Sequence, residues 1–419
     1  MSIKLRKKRL KATTQDALAS TTWPMIHCDP QGTKTSPNSA PTQAEAATIT
    51  TDLDSDVILM LSTPELIYVQ EAENYVKAFD PQTLELIATS PSLDATFPFF
   101  AGGTLDDSGY LWFTANNRIA RLSPDLSEVV WSDTLEPSEL PYNTCCFLPD
   151  GNFLVTTCLA AHVISSELTN GTFQVLSSLD LGALTWNGEQ VFTYYPIMPR
   201  PVSDDQGGLY FTTNGFVSKL VYDEETQAVL PQVIWAVPHE ERDLSFNLSD
   251  AVLVSNRVYA AAKPQDTNAM QVYSMENSLG GDVETCIPFP DAIGAISAHC
   301  VGAVADKEIL IVICNTTDLT GGMAAVDATT MEIIWNVPMA NIGGAFCCSS
   351  VSNKAYIINR NPEDSMLKYW AIDLDDGTPT LLHQYYSDVD PSASLPAIGY
   401  NGRLYYPNPT PGLAMLQDN

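Results

Sequence analysis

A short turn followed by an aromatic-rich β run recurs eight times along this chain, and that recurrence constrains the fold more than any other feature. The first copies read Thr63-Pro64-Glu65 then LIYVQ, Asp107-Ser108-Gly109 then YLWFT, Pro149-Asp150-Gly151 then NFLVTT, and Asp205-Gln206-Gly207 then GLYFTT. The series continues with Ser255-Asn256-Arg257 then VYAAA, Asp306-Lys307-Glu308 then ILIVI, Ser352-Asn353-Lys354 then AYIIN, and Tyr400-Asn401-Gly402 then RLYYPN. Central residues of successive turns lie 44, 42, 56, 50, 51, 46 and 48 positions apart. A period of about 40–50 residues, with room for four short strands in each, marks the blades of a propeller. Asp-Gly and Asn-Gly suit the positive φ of tight hairpins. No helical periodicity of useful length interrupts the pattern. The expected fold is all-β, an eight-bladed β-propeller of four-stranded antiparallel blades, with seven blades as the alternative count. A single domain can reach 419 residues in this way because each blade packs only on its neighbours.

The ends of the chain fit that count. Residues 1–45 are rich in Thr, Pro, Ser, Gln and Ala and lack apolar periodicity, so they are expected to form an irregular N-terminal arm, with the propeller over 46–419. The C-terminus supplies three strands, around SLPAIG, RLYYPN and LAMLQ, and then stops. The fourth is expected from the β-branched segment Ala46 to Leu53, which would close the ring and remove its exposed edges.

A second signal follows the turn copies. Ala325-Val-Asp327-Ala-Thr-Thr330-Met-Glu-Ile-Ile-Trp335 has the spacing A-x-D-x-x-T-x-x-x-x-W. Ala78-Phe-Asp80-Pro-Gln-Thr83 repeats its front half with Ala88 where the tryptophan would fall, and Ala371-Ile-Asp373 to Gly377 gives the front half again. Trp131 and Trp235 end comparable runs. The Asp and Thr are expected to cap the hairpin between outer strands, and the tryptophan to dock between blades as a structural plate. This spacing resembles the tryptophan-docking motif of the PQQ-like repeat, shared by quinoprotein alcohol dehydrogenases and the non-catalytic BamB-type propellers. The arm is similar to the opening of such proteins, with Trp23-Pro24-Met25 followed by Asp29-Pro30-Gln31-Gly32-Thr33. One blade, LDDSGYLWFTANNRIARLSP, looks more like SMP-30 or virginiamycin-lyase repeats.

Charge narrows the partners. The chain carries 20 basic and 50 acidic residues, a net charge of −30. Lys4, Arg6, Lys7, Lys8, Arg9 and Lys11 hold six of the basic ones, which leaves 14 against 50, or −36, for the rest. Such a body repels nucleic acid and anionic lipid and favours neutral or cationic partners. No stretch approaches the ~20 apolar residues that span a bilayer, and no apolar h-region follows the basic head. Nine cysteines with no CxxC spacing and no evident export signal fit a reducing compartment. The expected setting is cytoplasmic and monomeric, with export by an unrecognised route as the alternative.

The search for chemistry returns little. GxSxG and HExxH are absent, and the five histidines show no metal-ligand clustering, so no metal site is expected. The PQQ-like resemblance implies a calcium and a quinone for the dehydrogenases. No ligand set for either is visible, and PQQ and Ca²⁺ are disfavoured. Some of these enzymes carry a disulfide between adjacent cysteines. Cys145-Cys146 and Cys347-Cys348 are the two adjacent pairs here, on expected innermost strands. Four polar residues also stand on inner strands, 6 to 9 positions before the turn centre: Asn143, Arg200, Asn247 and His299. Equal offsets mean equal depth, so they are expected to converge at one channel mouth and bind a small molecule or a protein there. Arg200, between Pro199 and Pro201, is a candidate carboxylate clamp. The functional expectation is a ligand- or partner-binding module without evident catalytic machinery. The alternative is a propeller enzyme of the lactonase, lyase or quinoprotein type with its site at the channel mouth.

Overall fold

A computed structural model describes residue 29 and residues 33–419 apart from 72–74, 94–101, 137–143, 158, 187, 192–200, 205–206, 214–215, 237–250, 263–268, 278–282, 293–296, 344, 362, 388–395 and 409–411. The chain is an all-β propeller of eight four-stranded antiparallel blades. Among the described residues there is no α-helix, and no helix is long and apolar enough to cross a membrane. Blade one runs outward through Val57–Ser62, Ile67–Glu71, Val76–Phe79 and Leu86–Thr89. The inner strands of blades two to eight are Gly103–Leu105, Thr144–Phe147, Val202–Ser203, Val252–Val254, Ser297–Val304, Cys347–Ser349 and Ala397–Ile398.

The composition of the repeated turn has a backbone cause. Each turn joins the first and second strands of a blade, and most of them place a residue in the left-handed region. Gly151 takes it at φ 86°, Asn256 and Asn353 take it at 64° and 56° where glycine is missing, and Asn401 and Gly402 share it at 57° and 78°. Asparagine tolerates that region better than most side chains. The Asp-x-x-Thr turns between the two outer strands work similarly. Asp327 Oδ1 accepts the amides of Thr329 and Thr330, Asp80 Oδ1 accepts those of Gln82 and Thr83, and Met331 and Leu84 then adopt φ 57°.

The core lies between blades, because alternate side chains of a strand face opposite neighbours. Phe113 packs with Leu59 and Leu61 of blade one, while its neighbour Trp112 packs with Phe147, Phe153 and Phe173 of blade three. Closure joins the two ends of the ring. Ala47–Asp52 pairs antiparallel with Gly412–Gln417, from Ala47 opposite Gln417 to Asp52 opposite Gly412.

The arm is ordered where it meets the axis, which its composition did not announce. Thr35–Ser36 adds a fifth strand to blade seven, parallel to Cys347–Ser349. The amides of Cys348 and Ser350 donate to the carbonyls of Lys34 and Ser36. Across the cleft, the amide of Ala303 in blade six donates to Thr33 O. Asp29 holds this entry in place: its carboxylate accepts the Thr33 amide at 3.0 Å and the Thr33 hydroxyl. Further along, the Ser352 hydroxyl accepts the amide of Ala40 and donates to its carbonyl.

Trp335 and Trp131 end similar sequence runs but take opposite faces. Trp335 lies opposite Ala325, after a β-bulge between Ala325 and Val326, and is buried toward blade seven. Trp131 lies opposite Ala120 with no bulge, and packs toward blade one. One extra residue in a strand exchanges its two faces.

Candidate functional site

Of the four residues expected at the channel mouth, Asn143, Arg200 and Asn247 lie outside the described residues. His299 stands on the inner strand of blade six, within the register irregularity between Ser297 and Cys300.

The adjacent cysteines do stand on inner strands, but each pair is divided between two cores. Cys145 joins the cluster of Trp112 and Phe153, and Cys146 that of Leu154 and Phe211. Cys347 packs with Tyr356 and Tyr406 toward blade eight, and Cys348 with Ile311 and Phe346 toward blade six. Consecutive residues of an extended strand point to opposite faces, whereas a bond between two sulfurs needs both on one side. Burial pushes the Cys146 thiol up to about 12, away from thiolate chemistry.

Among the described residues no three His, Cys, Asp or Glu side chains converge on a metal position. The inner edges of blades six and seven face the arm, and the cysteine pairs are split.

Two other places carry functional geometry. At the axis, Lys34 is 1% exposed, and its ammonium donates to Val301 O at 2.6 Å. Val301 lies two residues beyond His299 on the same strand. An ammonium removed from water costs several kcal/mol, which a single carbonyl does not offset. Lys34 also holds φ 60°, the left-handed region, at about 1–2 kcal/mol for a residue with a Cβ. Nothing in the sequence marks this lysine except its place directly after Asp29-Pro-Gln-Gly-Thr33.

The second place is a groove of about 520 Å³ between blades six and seven. It lies at the face that carries the loops between the middle strands. Val337, Pro338, Met339, Trp370 and Pro379 contribute apolar surface, and Leu319 on the blade-six loop is 64% exposed at its rim. The polar groups at the base bond to one another. Trp370 Nε1 donates to Asn359 Oδ1 at 2.8 Å, and Asn359 Nδ2 donates to Ala340 O at 3.1 Å. The rim is acidic. Asp318 and Glu363 line it, and its lysine, Lys368, is held by Asp364 at 2.7 Å. Hydrogen bonds from Thr320 hold the Asp318 carboxyl below the usual range, so it is ionised at neutral pH. Sequence reasoning passed over this groove because its residues come from two blades and five separate segments.

No family model matches the sequence, and no curated protein matches it. Solved structures match it in fold. BamB from Moraxella catarrhalis superposes with a TM-score of 0.57 at 13% identity, over 89% of this chain and 97% of that one. Quinohemoprotein alcohol dehydrogenase from Comamonas testosteroni gives 0.65 at 12% identity, over 96% of this chain and 81% of that one. A computationally designed protein, Ika8, gives 0.57 at 11% identity, over 89% and 99%. The chain thus has the fold of the PQQ-like propellers, and at these identities the likeness is one of fold alone.

Proposed function

We propose that this protein is a binding propeller that captures a segment of a partner protein in the groove between blades six and seven and performs no chemistry of its own there. The observation that carries this reading is the character of the groove: an apolar base whose polar atoms are already bonded to one another, inside an acidic rim. Its volume, about 520 Å³, lies within the ~300–1,000 Å³ typical of ligand sites. The face of Trp370 and the side chains of Met339 and Leu319 offer contact area to bulky apolar groups. Asp318 and Glu363 favour a basic segment, and the net charge of −30 steers one toward the protein. The expected occupant is an extended peptide that combines large apolar side chains with Lys or Arg. The BamB-like fold supports such a role, since the sequence resemblance extends to non-catalytic propellers.

An arrayed peptide library, read by fluorescence with the full-length protein, tests this. Peptides with both basic and bulky apolar residues should bind, and Trp370→Ala should weaken them by tenfold or more. Leu319→Asp serves as the second variant, because its side chain is 64% exposed. If no peptide class responds to either substitution, the groove is not a docking site.

A further inference from the structure

We propose that Lys34 forms a second binding site, independent of the groove, that takes a small monocarboxylate at the propeller axis. The partner pattern of the lysines leads to this. Lys77, Lys219, Lys307, Lys354 and Lys368 all face carboxylates, at 2.6 to 3.7 Å. Lys34 is more buried than any of them, in a chain with 50 acidic residues, yet its ammonium meets only the Val301 carbonyl among the described residues. That bond uses one of three N–H donors. A buried ammonium that meets no carboxylate among the described residues is placed to meet an anion from outside.

The backbone fixes the position of the side chain. Lys34 is held in the left-handed region at φ 60°. The arrangement is over-determined: Asp29 fixes Thr33 before it, Thr33 O accepts from Ala303 of blade six, and Lys34 O accepts from Cys348 of blade seven. These bonds fix the backbone on both sides of Lys34. The result is a lysine at the inner edges of two adjacent blades, beside the strand that carries His299.

The charge selects the ligand class. A lysine ammonium is a compact point charge without the bidentate fork of arginine. One positive charge balances one carboxylate. A phosphate dianion would leave excess negative charge in a body that already repels it.

Thermal unfolding of the full-length protein in acetate, lactate, phosphate or chloride, at matched ionic strength, tests the proposal. Acetate or lactate should raise Tm saturably above chloride, as binding to the folded state requires, and phosphate should not. Lys34→Met should abolish the rise, and Lys34→Arg should retain part of it. If Lys34→Met does not fold, NMR of the lysine side-chain nitrogens in the unaltered protein decides instead. The Lys34 resonance should move with acetate and stay still with chloride. A carboxylate response that survives in Lys34→Met, or a Lys34 resonance indifferent to acetate, overturns the proposal.

Discussion

The indole nitrogen of Trp335 donates to the backbone carbonyl of Leu374 at 2.9 Å, which bonds the outer strand of blade six to the last turn of blade seven. The same ring lies against Gly377, where an added Cβ would come within 2.9 Å of the indole and where φ is 75°. The contact therefore couples two blades through one plate, and the turn is shaped to receive it. Because a propeller has no central core, such contacts between neighbours hold the ring together.

Replacing Trp335 by Ala should destabilise the protein by roughly 3–5 kcal/mol, the usual cost of truncating a large buried ring. Trp335→Phe should cost less, since it keeps most of the packing and loses the hydrogen bond. Urea unfolding of both variants measures this. A Trp335→Ala protein as stable as the parent would show that the ring contributes nothing to the interface.

Asp29→Ala should loosen the arm without unfolding the ring. The Asp29 carboxylate holds the Thr33 amide and hydroxyl, and Thr33 and Lys34 in turn accept from Ala303 and Cys348. Hydrogen exchange should therefore speed up at the Ala303 and Cys348 amides and stay unchanged in the outer strands, since local opening follows the bonds that are lost. Uniform acceleration across all blades would contradict this local role.

His162 should make the fold sensitive to mild acid. Its ring is buried between Ser178 Oγ at 2.7 Å and the Glu136 carbonyl at 2.8 Å. Burial holds its pKa below the ordinary 6.5, so the folded state favours the neutral ring and the unfolded chain takes up the proton first. The stability it contributes is present above the unfolded value and is lost as pH falls through the depressed folded value. His383 is shifted the same way by burial and acts in the same window. Tm measured from about pH 8 down to pH 5 should fall, and His162→Gln should flatten that slope. An unchanged slope would remove His162 from the account.

The fold was legible because its signal is local and repeated. Most of the turns need positive φ and admit few residues there, and eight copies at spacings of 42 to 56 residues point to a propeller. The sequence reading placed the adjacent cysteines on innermost strands but did not separate them; the structure sends Cys347 and Cys348 into different cores. The channel-mouth residues rested on weaker ground, since equal offsets from a turn define a common depth only where inner strands share a register. In blade six the register is irregular between Ser297 and Cys300, and the other three residues lie outside the described residues.

What the sequence determined by itself was the number of blades, the positions of their turns and the acidity of their surface, all set by chemistry within a few residues of each other. The tertiary structure decided which face each element presents and what meets it from far away. The bulge between Ala325 and Val326 sends Trp335 toward blade seven, while the unbulged pairing of Ala120 with Trp131 sends that ring toward blade one. Lys34 reaches Val301 across 267 residues of chain, and the Trp370 groove exists only where blades six and seven meet. A one-residue change of register exchanges the two faces of a strand, and pairing over such separations leaves no local pattern in the chain.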